Sequence, residues 1–309
     1  MIEVGVSVHD SLMVADPRRR RAVFGRAKAA GLDHVTVGDH ISFHGGTGFD
    51  GLVSATSVLC TDDDLSVIVG VYQLALRHPM VTARQLSSIG QLAPGRLVLG
   101  VGVGGEDRAE ISNAGVDPST RGRRLDEALE LLRALATGEA VDFEGEFFQV
   151  SSARTLPPPQ PRIPIVVGGK GDAAVRRTAR FGDGWLGLFC SARRFAETRE
   201  QVLVAAQELG REPPAWFGLS VWCGLAPDED TARELLGHKM HALYRLPAEK
   251  FRHVTAAGTP SQVAEQLAAF VAAGARNLTI VPAAASTEAA IDAVAEVREL
   301  LSSGAAARS

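Results

Sequence analysis

Cysteine is scarce. The three present, Cys60, Cys190 and Cys223, are too few and too far apart for a disulfide framework or a paired-thiol metal site. Each reads as a buried thiol in a reducing compartment. Runs of like charge are missing beyond Arg18–Arg21, which open a helical pattern and read as a solvated face. With 32 basic against 36 acidic residues the formal net charge is −4, which argues against a nucleic-acid surface. No apolar run approaches the roughly 20 residues of a membrane span. The opening M-I-E-V-G-V-S-V lacks the charged-then-apolar order of a signal peptide. What remains, 46% hydrophobic and 22% charged residues, suits a globular cytoplasmic protein with no nucleic-acid or membrane partner.

What is present is alternation. Short Val-rich runs at 2–8, 34–37, 65–71, 96–101, 165–167, 184–189, 216–225 and 278–281 read as strands buried on both faces. Helical patterns stand between them, with start signals such as Asp16-Pro17 and Thr259-Pro260 and stop signals such as Gly31 and Gly274. The expected helices include 79–92, 121–136, 192–209, 229–236 and 287–301. The span from 237 to 257 carries no clear pattern, 141–150 reads as a small hairpin, and 156–162 as an extended connector. Eight β-to-α steps in 309 residues predict one α/β domain, a closed (β/α)8 TIM barrel with a small hairpin insertion. An open doubly wound sheet is the alternative, and the count of eight with no domain linker favours the barrel.

The stretch from 164 to 185 organises the rest. Ile165, Val166 and Val167 lead into Gly168, Gly169, Lys170 and Gly171, and Asp172 precedes a helical pattern. A strand, a glycine turn and a helix start form an anion site, because free N–H groups and the helix dipole converge there. The dipole alone supplies roughly 0.3–2 kcal/mol, so several donors must act together. The G-x-G-x-x-G dinucleotide pattern is absent: its third glycine is missing. In a closed barrel the chemistry sits at the C-terminal strand ends. That rule selects His9, Asp39 and His40, Val71 to Gln73, Gly102 to Glu106, Gly168 to Gly171, Phe189 and Trp222.

With these segments placed, the chain resembles the luciferase-like family of flavin- or deazaflavin-dependent oxidoreductases. The residues that carry the resemblance are G-D-H at 38–40, R-H-P at 77–79, G-R-L-V-L-G-V-G-V-G at 95–104 and R-G-R-R-L-D-E-A-L-E-L-L-R at 121–133. F-E-G-E-F-F at 143–148, I-P-I-V-V-G-G at 163–169, F-G-D-G-W at 181–185 and G-T-P-S-Q-V at 258–263 complete it. The resemblance implies a planar ring held at the barrel mouth, with its phosphorylated tail on the 168–171 turn. It also implies a non-proline cis peptide near Gly70-Val71. The D-H pair and the glycine loop resemble the branch that uses F420; FMN is the alternative, with oxygen as co-substrate and a flavin reductase as partner. A binding barrel without turnover is a third possibility.

On this reading the cofactor-binding residues are Asp39, Gly70, Val71, Gly102, Gly104, Val167, Gly168, Gly169, Lys170 and Gly171. Lys170, Arg176 and Arg177 are candidates to guide a polyanionic tail. His40 is the candidate catalytic residue, either moving a proton beside the ring or packing behind it. His9, His44, Glu106 and Trp222 are candidates to contact a small-molecule substrate. The sugar-phosphate dehydrogenase branch has an acid where this chain has Gly105, with Glu106 one place on, a departure from that pattern. Arg77 reads as structural, and Trp185 as packing behind the phosphate turn. A homodimer is implied by the resemblance alone.

Overall fold

A computed structural model describes residues 2–306 apart from 9, 14, 105, 106 and 246. Eight parallel strands close into a barrel: β1 (Glu3–Ser7), β2 (His34–Val37), β3 (Ser66–Tyr72), β4 (Leu97–Val101), β5 (Ile165–Gly168), β6 (Gly184–Leu188), β7 (Trp216–Leu225) and β8 (Asn277–Ala283). Pairing runs β1 to β7 in chain order and closes through β7–β8 and β8–β1. All four residues of β2 are buried, as a strand covered on both faces requires.

The helices that wrap the barrel are α1 (Pro17–Ala29), α2 (Gly51–Leu59), α3 (Pro79–Leu92), α4 (Arg108–Asn113), α5 (Arg121–Leu135), α6 (Asp172–Phe181), α7 (Ala192–Glu208), α8 (Glu229–Tyr244), α9 (Pro260–Ala272) and α10 (Thr287–Ala306). Side-chain caps fix several starts. The Asp16 carboxylate accepts from Arg18 N, Asp50 from Leu52 N and Val53 N, and Thr259 and Gln262 form a reciprocal capping box. No helix among the described residues is long and apolar enough to cross a membrane.

Several elements depart from the sequence expectation, a one-turn helix at Asp10–Met13 among them. Helix α8 continues to Tyr244 rather than stopping near 236, because Ala232, Leu236 and Met240 keep one buried stripe at four-residue spacing. Residues 256–258, at the end of the unpatterned span, form a three-residue strand beside β7. Helix α4, in the loop after β4, has no counterpart in the sequence reading; Asp107 caps it by accepting from Ala109 N and Glu110 N. Cys60 differs too: it is exposed, because it caps the end of α2, whereas Cys190 and Cys223 are buried as expected. Burial pushes the Cys190 thiol up to about 11, consistent with an inert role.

Candidate active site at the barrel mouth

Strand β3 shapes the floor. Its Gly70–Val71 peptide is cis, as the resemblance implied. The Val71 side chain lies across the neighbouring strand ends: a Cβ on Gly102 would sit 2.7 Å from one of its methyls, and a Cβ on Gly168 2.8 Å from the other. Glycine at both positions is the steric condition for Val71 to occupy the mouth. A cavity of about 370 Å3 opens above it, large enough for a cofactor ring. Gly38, Asp39, His40, Gly70, Val71, Gln73, Gly102, Gly104, Gly168, Gly169 and Lys170 line it, with Ser220, Leu243 and Tyr244 closing the far side.

One wall is densely hydrogen-bonded. The Asp39 carboxylate, its side chain fully shielded, accepts from both terminal nitrogens of Arg77 at 2.8 Å and from the backbone N–H groups of Gly51 and Gln73 at 2.8 Å. Burial pushes the Asp39 carboxyl up, against the pull of Arg77 and those two N–H donors. Such a forked pair fixes orientation as well as charge. Asp39 therefore spends its acceptors on Arg77 and the backbone, and faces the cavity with little left to offer a cofactor. Arg77 is structural, as expected.

His40 stands next to it. Its Nδ1 lies 3.1 Å from Oε2 of Glu110, a residue of α4 that is 2% exposed. Oε1 of the same carboxylate accepts from Ile41 N at 2.6 Å and Ser42 N at 3.1 Å. Burial pushes the Glu110 carboxyl up, but the N–H of Ser42 and the hydrogen bond and charge of His40 outweigh it and hold it below its ordinary value. A carboxylate only accepts, so His40 Nδ1 carries the hydrogen and Nε2 is left as the basic nitrogen. Gln73 completes the wall: its Nε2 donates to the Asp39 carbonyl at 2.9 Å, while its buried Oε1 has no partner among the described residues.

The opposite wall is sparsely bonded. Helix α6 starts at Gly171 with φ 76° and no side-chain cap, and Gly169 has φ 133°, both in the region glycine tolerates. Trp185 anchors this turn from behind, its indole N–H donating to the Gly169 carbonyl at 3.0 Å. Lys170 Nζ lies 5.2 Å from the Phe189 ring centroid, and Phe189, Tyr244 and Phe251 pack together with centroids 5.2–5.5 Å apart.

Several sequence candidates lie elsewhere. Val167 is fully buried in the barrel core and Gly171 lies at the start of α6 outside the cavity lining. Trp222, three residues before the end of β7, is buried against Tyr244 and the α8 stripe rather than facing the cavity. His44 is off the cavity, its backbone N–H donating to Asp107 at 2.8 Å. Arg177 is buried and held by Asp126 and the Gly122 carbonyl, which removes it as a guide for a ligand's tail. His9 and Glu106 lie outside the described residues. Glu110 is the site residue that sequence reasoning passed over. Gln73 sits within the strand-end span that the barrel rule selects but received no role there, and the Asp107 cap is the signal that could have placed Glu110 in a helix.

A parallel barrel with a glycine turn and a histidine–carboxylate pair at its C-terminal mouth defines a small-molecule enzyme scaffold. The profile of the luciferase-like monooxygenase family matches residues 1–254, and the chain belongs to that family. An uncharacterised protein of Mycobacterium tuberculosis is 40% identical over 116 residues, 38% of this chain and 40% of that protein's length. The F420-dependent glucose-6-phosphate dehydrogenase of Kineococcus radiotolerans is 30% identical over 237 residues, 73% of this chain and 68% of the relative. Among solved structures, an F420-dependent secondary alcohol dehydrogenase in complex with an F420–acetone adduct superposes with a TM-score of 0.85 at 19% identity, covering 97% of this chain and 99% of that one. The oxygenating constituent of a Pseudomonas putida Baeyer–Villiger monooxygenase, in complex with FMN, superposes with a TM-score of 0.75 at 16% identity over 96% of each chain. At those identities the structures bear on the fold alone.

Proposed function

We propose that this chain is an F420-dependent oxidoreductase that transfers a hydride between the deazaflavin and a small organic substrate. The observation that carries the reading is the pairing, at one mouth, of an uncapped glycine turn with the His40–Glu110 couple across the Val71 floor. The F420-dependent glucose-6-phosphate dehydrogenases among the relatives support the choice of cofactor.

The residues present fit such a group. The glycine turn leaves backbone donors free for a phosphate, and Lys170 adds positive charge. The orphaned Gln73 Oε1 is an acceptor for a ring N–H. When bound, the deazaflavin supplies the hydride chemistry. His40 Nε2 holds or releases the proton that balances it at the substrate oxygen, while Glu110 fixes the imidazole's tautomer and angle. Leu186, Leu188, Leu243 and Tyr244 exclude water from the same space.

The homodimer expected from the resemblance would use the face of α2 and α3 where Val53, Val81 and Leu92 stand exposed. An FMN monooxygenase supplied by a separate reductase is the second reading, supported by the FMN complex of the same fold. The test follows deazaflavin absorbance with short secondary alcohols and aldoses as substrates, alongside an oxygen-uptake assay with reduced FMN. Turnover with F420 that falls by about 10²–10⁴-fold in His40→Ala, with F420 affinity retained, is expected. Full turnover in that variant, or turnover only with reduced FMN and oxygen, overturns the assignment.

A further inference from the structure

A second cavity, of about 550 Å3, lies between β1, β8, α8 and α10 and shares no lining residue with the mouth. Val6, Val8, Leu12, Val23, Leu235 and Ile291 give it apolar walls. One cation enters it. Lys239 is half-buried, and its Nζ donates to the Pro282 carbonyl, itself part of the lining.

An ammonium has three donors, and that carbonyl satisfies one. Four shielded arginines meet a carboxylate instead, Arg77 at Asp39, Arg133 at Asp183, Arg177 at Asp126 and Arg298 at Asp33, while Arg96 and Arg124, like Lys239, are held by backbone carbonyls. Lys239 forms no ion pair among the described residues, and burial alone pushes its pKa down, with no acidic group opposing the shift. A partly desolvated cation without a counter-charge, at the edge of an apolar chamber, is a cost the fold carries until an anion arrives.

We propose that this chamber binds a small monocarboxylate with an apolar body, its carboxylate on the Lys239 ammonium and its hydrocarbon against the valine and leucine walls. The charge count selects the class. One ammonium balances one negative charge, and a phosphate dianion calls for more; the other basic side chain in the lining, His238, is exposed. A neutral hydrocarbon would leave the ammonium as it is. The volume falls within the range of small-molecule sites. The site is independent of the deazaflavin reading, since no residue is common to both.

Trp222 provides the readout. Its ring centroid lies 5.9 Å from Lys239 Nζ, so an anion docking there alters its emission. Titration of the full chain with hexanoate, in the absence of any redox cofactor, is expected to give a saturable change in tryptophan emission. Hexan-1-ol should bind at least about tenfold more weakly, and Lys239→Met should remove that preference with circular dichroism unchanged. Lys239→Arg, which keeps the charge, should retain it. Equal affinity for acid and alcohol, or wild-type hexanoate affinity in the methionine variant, overturns the proposal. Should the methionine variant fail to fold, a crystal of the wild-type chain soaked in hexanoate decides: a carboxylate within hydrogen-bond distance of Lys239 Nζ supports the site, and hexanoate absent there or bound only at the His40 mouth refutes it.

Discussion

The two walls of the barrel mouth are built on opposite terms. On the β2–β4 side, Asp39 accepts four hydrogen bonds, Glu110 accepts from His40 and two backbone N–H groups, and Arg77 reaches both Asp39 and Asp50. On the β5–β7 side, the glycine turn starts a helix without a side-chain cap, and Lys170 lies against the Phe189 ring. The contrast separates two tasks. Hydrogen-bonding capacity satisfied within the protein positions groups, and capacity left open is what a ligand can use. His40 bridges them: one nitrogen is committed to Glu110 and the other remains for chemistry.

That contrast can be broken most forcefully on the saturated side. Arg77→Ala strands the shielded Asp39 carboxylate, and removing one partner of a buried pair costs about 3–5 kcal/mol. Chemical denaturation should show a loss of that size; a loss below about 1 kcal/mol would mean that the wall does not depend on the pair. Lys170→Ala, on the open side, should leave the unfolding midpoint within about 0.5 kcal/mol.

Beneath the mouth, His34 tests the same idea through pH. It is buried with its Nε2 3.1 Å from Thr279 Oγ1, and burial lowers its pKa from 6.5 to about 4. A folded value below the unfolded one means that stability is complete above pH 6.5 and declines as pH falls toward 4. The loss amounts to about 3 kcal/mol at most. His34→Gln, which cannot take up a proton in that range, should flatten this part of the stability curve; an unchanged slope would remove His34 as its source.

A smaller effect is expected at Glu110. Its folded carboxyl lies below its ordinary value, so its contribution is present above the usual glutamate range and lost as pH falls through the folded value. Glu110→Ala leaves the Ile41 and Ser42 N–H groups and His40 Nδ1 unpaired, a cost of about 1–3 kcal/mol. Turnover should fall with it even where the variant remains folded, since His40 loses its fixed tautomer. Activity equal to wild type would reduce Glu110 to a structural brace.

Much of this was legible in the chain itself. Short β-branched runs between capped helices predict the barrel; the strand-end rule brings His40, Val71, Gln73, Gly102, Gly104 and the 168–170 turn to one mouth, and the resemblance adds Gly70. What escaped depends on side-chain direction. Asp39 follows a strand as a ligand residue would, yet Arg77, 38 positions away, captures it. Trp222 sits near a strand end, yet α8 runs two turns past the expected stop at 236 and covers it. Glu110 lies on a six-residue helix too short to show a period, so its contact with His40, 70 residues away, is a product of the fold.

The central claim is that bare amides at the 168–171 turn hold the phosphorylated tail of a deazaflavin at this mouth. Calorimetric titration of the full chain with F420, repeated for Gly169→Val, tests it directly. Gly169 has φ 133° and a Cβ there would sit 3.3 Å from the Ala174 methyl, so valine displaces the turn. One F420 per chain, with affinity falling at least about tenfold in the variant while the unfolding midpoint is kept, is the predicted result. Absence of F420 binding, or affinity untouched by the valine, would contradict it.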